Sequence, residues 1–406
     1  YLAGLLAPRD RPKTLTALAG AEPLVQAQTA PVQQLQFFLS ESGWDADAVT
    51  ARTLQLLGGD PLTASDPDGV LVVDDTGDRK DGCATEHVAR QYLGSVGKID
   101  NGIVAVTTLW ANEQRYYPLH VAPYTPESRL PEGKKDPAFH SKPQLAMTLI
   151  ERALAAGIAF KAIVADCFYG DHRELVATLR RRHLPFVLSH RGSVGRGWTP
   201  EDVAHSFHEA LEEVRPRDWH KVTRHFRDGH TERWWATELT FLNYGPDKPV
   251  RAICATTDRQ TLPELSTWYL TTNLPREAAS LEEVVRLYGL RHWVEQGYKQ
   301  MKDELGWADF MVRSDQAIRR HWQLVCCAFA FCWWQEARQA RQHVPADSPA
   351  RKKKSASAWP DAMSLAASVT VRAGVADTAE LAHALLASLV PQAPTHRIRH
   401  AHPLPY

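Results

Sequence analysis

The chain has 406 residues, of which 44% are hydrophobic and 23% are charged, so a largely disordered protein is excluded and two or three domains are expected. Its 47 basic and 47 acidic residues balance, which disfavours a protein that simply coats nucleic acid but leaves room for a local basic groove. Because the chain begins with Tyr1 and not with Met, we expect an N-terminal piece to be missing.

Residues 1–65 show helical rather than strand patterns. Apolar residues recur at helical spacing over residues 32–39 and 48–57, and the second segment ends at Gly58-Gly59, a helix-stop signal. Acidic residues outnumber basic ones here, so we predict a small helical domain with a structural or protein-contact role.

Two buried strands are each followed by carboxylates. Val70–Val73 leads into Asp74 and Asp75, and Ala162–Ala165 leads into Asp166. Between them lie strand-like runs at 91–96, 103–110 and 116–121, then a helix at 145–156. A helix at 171–182 and a strand at 186–188 follow. This order predicts an α/β protein with a mixed sheet flanked by helices.

Residues 190–275 are rich in Gly, Trp and charge, with strand signals at 219–226, 231–241, 250–255 and 267–272. We predict a β-rich insertion, followed by a helix that Ser280 caps and a long apolar helix over 317–343. The apolar run 324–334 is too short to span a bilayer, so no membrane partner is expected. The predicted parts are 1–65 (helical N-terminal domain), 66–189 (core, first part), 190–275 (β-rich insertion), 276–345 (core, C-terminal helices) and 346–406 (basic loop and helical tail).

The six cysteines form no CxxC pair, and Cys326, Cys327 and Cys332 lie in the apolar run. This pattern is typical of core cysteines in a reduced, cytoplasmic protein rather than of disulfides or a zinc site.

One charged stripe is predicted on the helix over residues 288–302. At about 100° per residue, Tyr288, Arg291, Glu295 and Lys302 share one face. A carboxylate between cations can bind a metal while the cations hold phosphates. The alternative is a solvated ion pair of Glu295 with Arg291 or Lys299.

Three carboxylates, Asp74, Asp166 and Glu295, could gather at the carboxyl edge of the sheet, with Asp75 as an alternative to Asp74. All-oxygen ligands favour Mg²⁺, with Mn²⁺ as a substitute. Two such ions can activate water on one side of a phosphodiester and stabilise the leaving oxygen on the other. The residues therefore permit two-metal phosphoryl transfer.

These motifs resemble those of a known family. The spacing Tyr288-x2-Arg291-x3-Glu295-x6-Lys302 is similar to the Y-R-E-K signature of DDE transposases from bacterial insertion sequences, in the insertion-sequence-four superfamily. Further similar segments are Val72–Gly77, Arg90–Asn101, Val164–Asp171 and Trp268–Pro275, and the resemblance runs from about residue 1 to 341.

The resemblance implies an RNase H-like fold with Asp74, Asp166 and Glu295 as the metal-binding catalytic triad. It favours Asp74 over Asp75, because the family pattern Asp-x-Ser/Thr fits Asp74-Asp75-Thr76. It also implies that Tyr288, Arg291 and Lys302 hold DNA phosphates.

The function expected from this resemblance is cleavage of double-stranded DNA at element ends and transfer of the freed 3′-OH to target DNA, by a homodimer. The alternatives are a domesticated protein that binds DNA or a partner without transposition, and a nuclease without strand transfer.

Overall fold

The computed structural model describes residues 1–7, 12–20, 29–193, 206–226, 228–240, 244 and 247–342. Four helices precede the sheet: α1 (Leu2–Leu6), α2 (Leu15–Leu18), α3 (Ala30–Ser40) and α4 (Ala46–Gly58). The core continues with β1 (Val70–Arg79), β2 (Ala89–Leu93), β3 (Lys98–Ala111), β4 (Tyr116–Tyr124), α5 (Lys142–Ala155), β5 (Ala162–Ala165), α6 (Cys167–Gly170), α7 (Arg173–Arg181) and β6 (Phe186–His190). The remaining elements are α8 (Phe207–Glu212), β7 (His220–His225), β8 (Thr231–Leu239), β9 (Arg251–Thr256), β10 (Thr267–Thr272), α9 (Leu281–Gly289), α10 (His292–Asp303) and α11 (Asp315–Gln342). The predicted tail over 346–406 lies outside the described residues.

The described strands form one mixed sheet in the order β2-β3-β1-β5-β6-β10-β9-β8-β7, with β4 paired to β3. Strands β4, β3 and β1 are antiparallel neighbours, whereas β1, β5 and β6 run parallel. Helix α5 contacts β1, β3 and β4, and α10 and α11 contact β4. The predicted mixed α/β sheet flanked by helices is confirmed, and its order is consistent with the RNase H-like fold.

The sequence predicted that strand β1 ends at the aspartates, but the strand continues past them to Arg79. It pairs with β3 along its whole length, Val70 to Arg79, because both strands continue past the acidic residues. Its pairing with β5 ends at Val73↔Ala165. From Asp74 onward, β1 is therefore no longer paired on its β5 side among the described strands.

The four predicted strands of the β-rich insertion are present as β7 to β10, within two residues of their expected bounds. They do not build a separate sheet in the described part of the chain. Strand β10 pairs with β6, and β9, β8 and β7 add to it in turn. The insertion thus widens the core sheet, and the predicted domain boundaries remain predictions.

The N-terminal helices pack against α11. The buried guanidinium of Arg320 on α11 donates to the backbone carbonyls of Leu39, Ser42 and Trp44. These hydrogen bonds compensate for the burial of the guanidinium charge, which would be costly without partners. Helix α11 is the predicted buried core helix: its three cysteines are free and buried. None of the helices in the described part of the chain combines the length and apolar character that a membrane span requires.

Candidate active site

The predicted helix over residues 288–302 is in fact two helices, α9 and α10, with a tight turn at Leu290 and Arg291. Here backbone amides bond three residues back instead of four: Arg291 to Tyr288 at 3.0 Å and Val294 to Arg291 at 3.0 Å. Tighter winding rotates the following side chains. The helix predicted from spacing is thus broken at Arg291, although Arg291 still pairs with Glu295 one turn later and Lys302 pairs with Asp78 of β1.

Asp74 and Asp166 are brought together by strand register. Because Val73 pairs with Ala165 across parallel strands, the residues that follow them, Asp74 and Asp166, come to lie side by side. Asp74 Oδ1 accepts the amide of Asp75 at 2.8 Å, and Asp166 Oδ1 accepts the amide of Phe168 at 3.1 Å. Asp166 caps the short α6, so its position is held by backbone bonds.

The turn after Asp166 needs a glycine. A Cβ on Gly170 would lie 1.9 Å from the carbonyl oxygen of Ser189 on β6. Any other residue would push α6 away from the sheet, and with it the backbone that holds Asp166.

Both carboxylates of the pair resist ionisation. Burial raises the pKa of Asp74 to about 7, and repulsion from Asp166 adds to the shift while Arg291 opposes it. Burial likewise raises the pKa of Asp166, against the attraction of Arg291. A cation placed between two such groups would stabilise their charged forms. This all-oxygen pair fits a hard divalent ion such as Mg²⁺.

Arg291 links the first and third predicted carboxylates. Its guanidinium donates to Asp74 Oδ2 at 2.7 Å and to Glu295 Oε1 at 3.1 Å. The Arg291 side chain is mostly buried, and its Nε has no hydrogen-bond partner among the described residues. Arg291 therefore supplies positive charge to Asp74, as a metal ion bound to this carboxylate would.

Glu295 is near the pair but not part of it. Its side chain is 66% exposed, and the ion pair with Arg291 connects it to Asp74. The described residues contain no group of three His, Cys, Asp or Glu side chains placed to hold a metal ion. Asp74 and Asp166 thus fit a divalent ion as the structure stands, whereas Glu295 does not yet converge on them.

Tyr288 and Lys302, two of the predicted phosphate ligands, have partners inside the protein. Tyr288 is buried and packs edge-on against Trp268, with ring centroids 4.9 Å apart. Lys302 Nζ lies 2.7 Å from Asp78 Oδ1, a pair with both side chains largely buried. Neither side chain is open to a phosphate, because Tyr288 is packed inside the protein and Lys302 is ion-paired with Asp78. Lys299 is exposed on α10.

Asp75, the alternative first ligand, is bound elsewhere. Alternation along β1 turns it to the opposite face from Asp74. There Asp75 accepts from Lys142 Nζ at 2.9 Å and from the Tyr169 hydroxyl at 3.1 Å. This favours Asp74 as the ligand. Sequence reasoning missed Lys142 and Tyr169, since a lysine in a polar, Pro-rich segment carries no periodic signal.

Comparison with known proteins gives matches that cover more than half of the chain. A family model described as "DDE superfamily endonuclease" matches residues 1–236. A probable transposase for insertion sequence element IS701 from Microchaete diplosiphon is 34% identical over 283 residues, which cover 68% of each chain.

Proposed function

The chain belongs to the DDE superfamily of endonucleases and functions as an insertion-sequence transposase, and we propose that its reactions occur at Asp74, Asp166 and Glu295. Endonucleases of this superfamily generally use divalent metal ions. For this chain we propose Mg²⁺, with Mn²⁺ as a substitute. The proposed substrates are double-stranded element ends and target DNA, and the proposed active form is a homodimer acting in the cytoplasm.

The observation that carries the proposal is the pair formed by buried Asp74 and half-buried Asp166, with Arg291 against it. Two neighbouring carboxylates, both with raised pKa, are the kind of site that a divalent cation completes. When bound, Mg²⁺ supplies Lewis-acid chemistry: it activates a nucleophilic oxygen and stabilises the leaving one.

The Arg291 guanidinium can bind either a carboxylate of the protein or a phosphate of the DNA. A guanidinium binds a phosphate through two parallel hydrogen bonds, as it binds a carboxylate. In our proposal the DNA backbone takes Arg291 away from Glu295, so that Glu295 becomes free to turn toward Asp74 and Asp166. DNA binding and completion of the triad are then one event.

Tyr288 and Lys302 remain proposed DNA contacts, but each must first leave its present partner. For Lys302 that means breaking the pair with Asp78. Arg291 is the stronger candidate for a DNA contact, because it lies between the exposed carboxylate of Glu295 and the buried carboxylate of Asp74.

The test is a cleavage and joining assay with Mg²⁺ on duplex DNA that carries the ends of the element encoding this chain. We expect Glu295→Gln to abolish both steps and Gln296→Ala, at an exposed uncharged position on the same helix, to retain them. Equal activity of Glu295→Gln and wild type would overturn the site. Cleavage by wild type without joining would instead support a nuclease, and binding without either step a domesticated protein.

A further inference from the structure

The sheet has two open edges in the described part of the chain, β7 at one end and β2 at the other. An edge strand exposes backbone N–H and C=O groups that can pair with another chain, and charged side chains discourage such pairing. Strand β7 carries the exposed polar side chains of His220, Lys221 and His225. The hairpin formed by β2 and the start of β3 lacks this protection, because several of its exposed side chains are apolar.

Three apolar side chains are exposed on this hairpin. Tyr92 is 58% exposed, Ile99 59% and Val96 41%. Tyr92 and Ile99 are directly opposite each other on β2 and β3, so their side chains lie on the same face. Arg90, two residues before Tyr92, is exposed on that face as well. The edge of the sheet thus presents an aromatic ring and a guanidinium next to each other.

The hairpin is held in place before any partner binds. Leu93 is buried, and a Cβ at Gly77 or Gly102 would lie 2.8 or 2.7 Å from its side chain. The Gln91 side chain donates to the backbone carbonyl of Gly102 at 2.9 Å. The two glycines therefore let Leu93 pack tightly under the hairpin. An edge that is ordered in advance loses little conformational freedom when it pairs.

We propose that β2 pairs antiparallel with β2 of a second copy of the chain, about a two-fold axis at Gln91. The proposal rests on the function proposed above, in which the active form is a homodimer, and it names the surface through which the two copies meet. In this arrangement Arg90 of each copy lies opposite Tyr92 of the other. The contact is self-complementary, as a two-fold interface requires.

Side-chain chemistry selects this register. Pairing about Gln91 overlaps the whole of β2, Ala89 to Leu93. It sets each Arg90 guanidinium beside the ring of Tyr92, which is the geometry of a cation–π contact. Pairing about Arg90 would instead place the two guanidiniums opposite each other, where like charges repel.

The expected dimer is weak without DNA. Two five-residue strands bury less surface than a stable protein–protein interface requires. Two copies bound to one DNA that carries both element ends have a high effective concentration, so the same pairing becomes favourable there. Strand β1, which carries Asp74, is separated from β2 only by β3. The two active sites would therefore lie on one continuous sheet.

The first experiment is disulfide crosslinking of the full chain, with and without DNA that carries both element ends. The background is Cys83→Ser, because Cys83 is an exposed native thiol. The test variant combines Arg90→Cys with Tyr92→Cys. The matched control combines Lys221→Cys with Thr223→Cys, two exposed positions at the same spacing on β7.

We expect the Arg90→Cys, Tyr92→Cys variant to form a disulfide-linked dimer on a non-reducing gel. Directly opposite residues of an antiparallel pair have Cα atoms about 4.5–5.5 Å apart, a distance that a disulfide can bridge. Each single variant should stay uncrosslinked, because its new cysteine lies opposite a tyrosine or an arginine. The β7 control should stay uncrosslinked as well.

The second experiment measures the dissociation constant of the DNA-free dimer by sedimentation equilibrium at high protein concentration. Tyr92→Arg should weaken the dimer by about 5- to 30-fold, because two cation–π contacts are lost and like charges face each other. Tyr92→Glu should retain the dimer, because a glutamate opposite Arg90 forms an ion pair. Thr223→Arg on β7 is the control and should change nothing.

The proposal is overturned if the double cysteine variant stays uncrosslinked with and without DNA, or if Tyr92→Arg and Tyr92→Glu dimerise alike. If the hairpin binds DNA instead, Tyr92→Arg should tighten DNA binding and Tyr92→Glu should weaken it, with no effect on dimerisation. Failure of the proposed function is distinguishable, because the DNA-free dimer would then form while the wild-type chain failed to cut element ends.

Discussion

Arg291 donates to Asp74 at 2.7 Å and to Glu295 at 3.1 Å, so one guanidinium lies between two carboxylates proposed to share a metal ion. Such an ion pair competes with a divalent cation for Asp74. Arg291 therefore places a cation of the protein itself against Asp74.

The first prediction concerns metal affinity without DNA. Arg291→Ala should bind Mn²⁺ more tightly than wild type, by about tenfold or more, because removing one close opposite charge releases on the order of 1.4 kcal/mol of competition. The measurement is Mn²⁺ titration followed by electron paramagnetic resonance. Gln296→Ala, at an exposed uncharged position on the same helix, is the control, and equal or weaker Mn²⁺ binding by Arg291→Ala would contradict the competition.

The second prediction separates Asp74 from Asp75. Asp74→Asn should lower DNA cleavage by at least about 10²-fold, the scale of losing a group that stabilises developing charge. Asp75→Asn should retain most activity, since its carboxylate pairs with Lys142 and Tyr169 on the other face of β1. Single-turnover cleavage with Mg²⁺ measures both, and a greater loss in Asp75→Asn would reverse the assignment.

The third prediction is a pH dependence of stability in metal-free protein. The pKa of Asp74 is about 7 in the folded state, above its value near 3.8 when unfolded. The folded state therefore holds the proton more tightly, and the stability that Asp74 contributes is present below the unfolded pKa and lost as the pH rises through the folded one. Wild type should thus lose free energy of unfolding between about pH 4 and pH 8.

Urea unfolding with EDTA at both ends of that range measures this loss. Asp74→Asn should lose less free energy of unfolding over this pH range, because the asparagine side chain cannot ionise. The exposed control, Asp81→Asn, should behave as wild type. Adding Mg²⁺ should restore stability at the higher pH in wild type only. An identical pH response in Asp74→Asn would show that other groups cause it.

The fourth prediction addresses Lys302. Lys302→Ala removes the cation paired with buried Asp78, which keeps only the hydrogen bond from Trp307 and the more distant Lys80, so it should lower the free energy of unfolding by about 3 kcal/mol. The double variant Lys302→Met with Asp78→Asn should be less destabilised, because both charges are gone. Urea unfolding gives these values. If Lys302→Ala were instead as stable as wild type but bound DNA more weakly, the result would indicate that Lys302 contacts DNA.

Much of the core followed from local patterns. The apolar strand segments before Asp74 and Asp166, the four strands of the insertion and the buried helix α11 depend on periodicities of two or 3.6 residues, which the sequence displays directly. The family signature added Glu295 and Arg291 as site residues, which spacing alone could not distinguish from a solvated ion pair.

The tertiary structure decided how those residues are used. Strand register placed Asp74 beside Asp166, and alternation on β1 sent Asp75 to the other face. Glu295 on α10 lies at the solvent edge, and Arg291 is hydrogen-bonded both to it and to Asp74. Partners distant in sequence, such as Lys142 for Asp75 and Asp78 for Lys302, compete for each charged group. Local sequence patterns do not record that competition, because its outcome depends on which side chains the fold brings within hydrogen-bond distance.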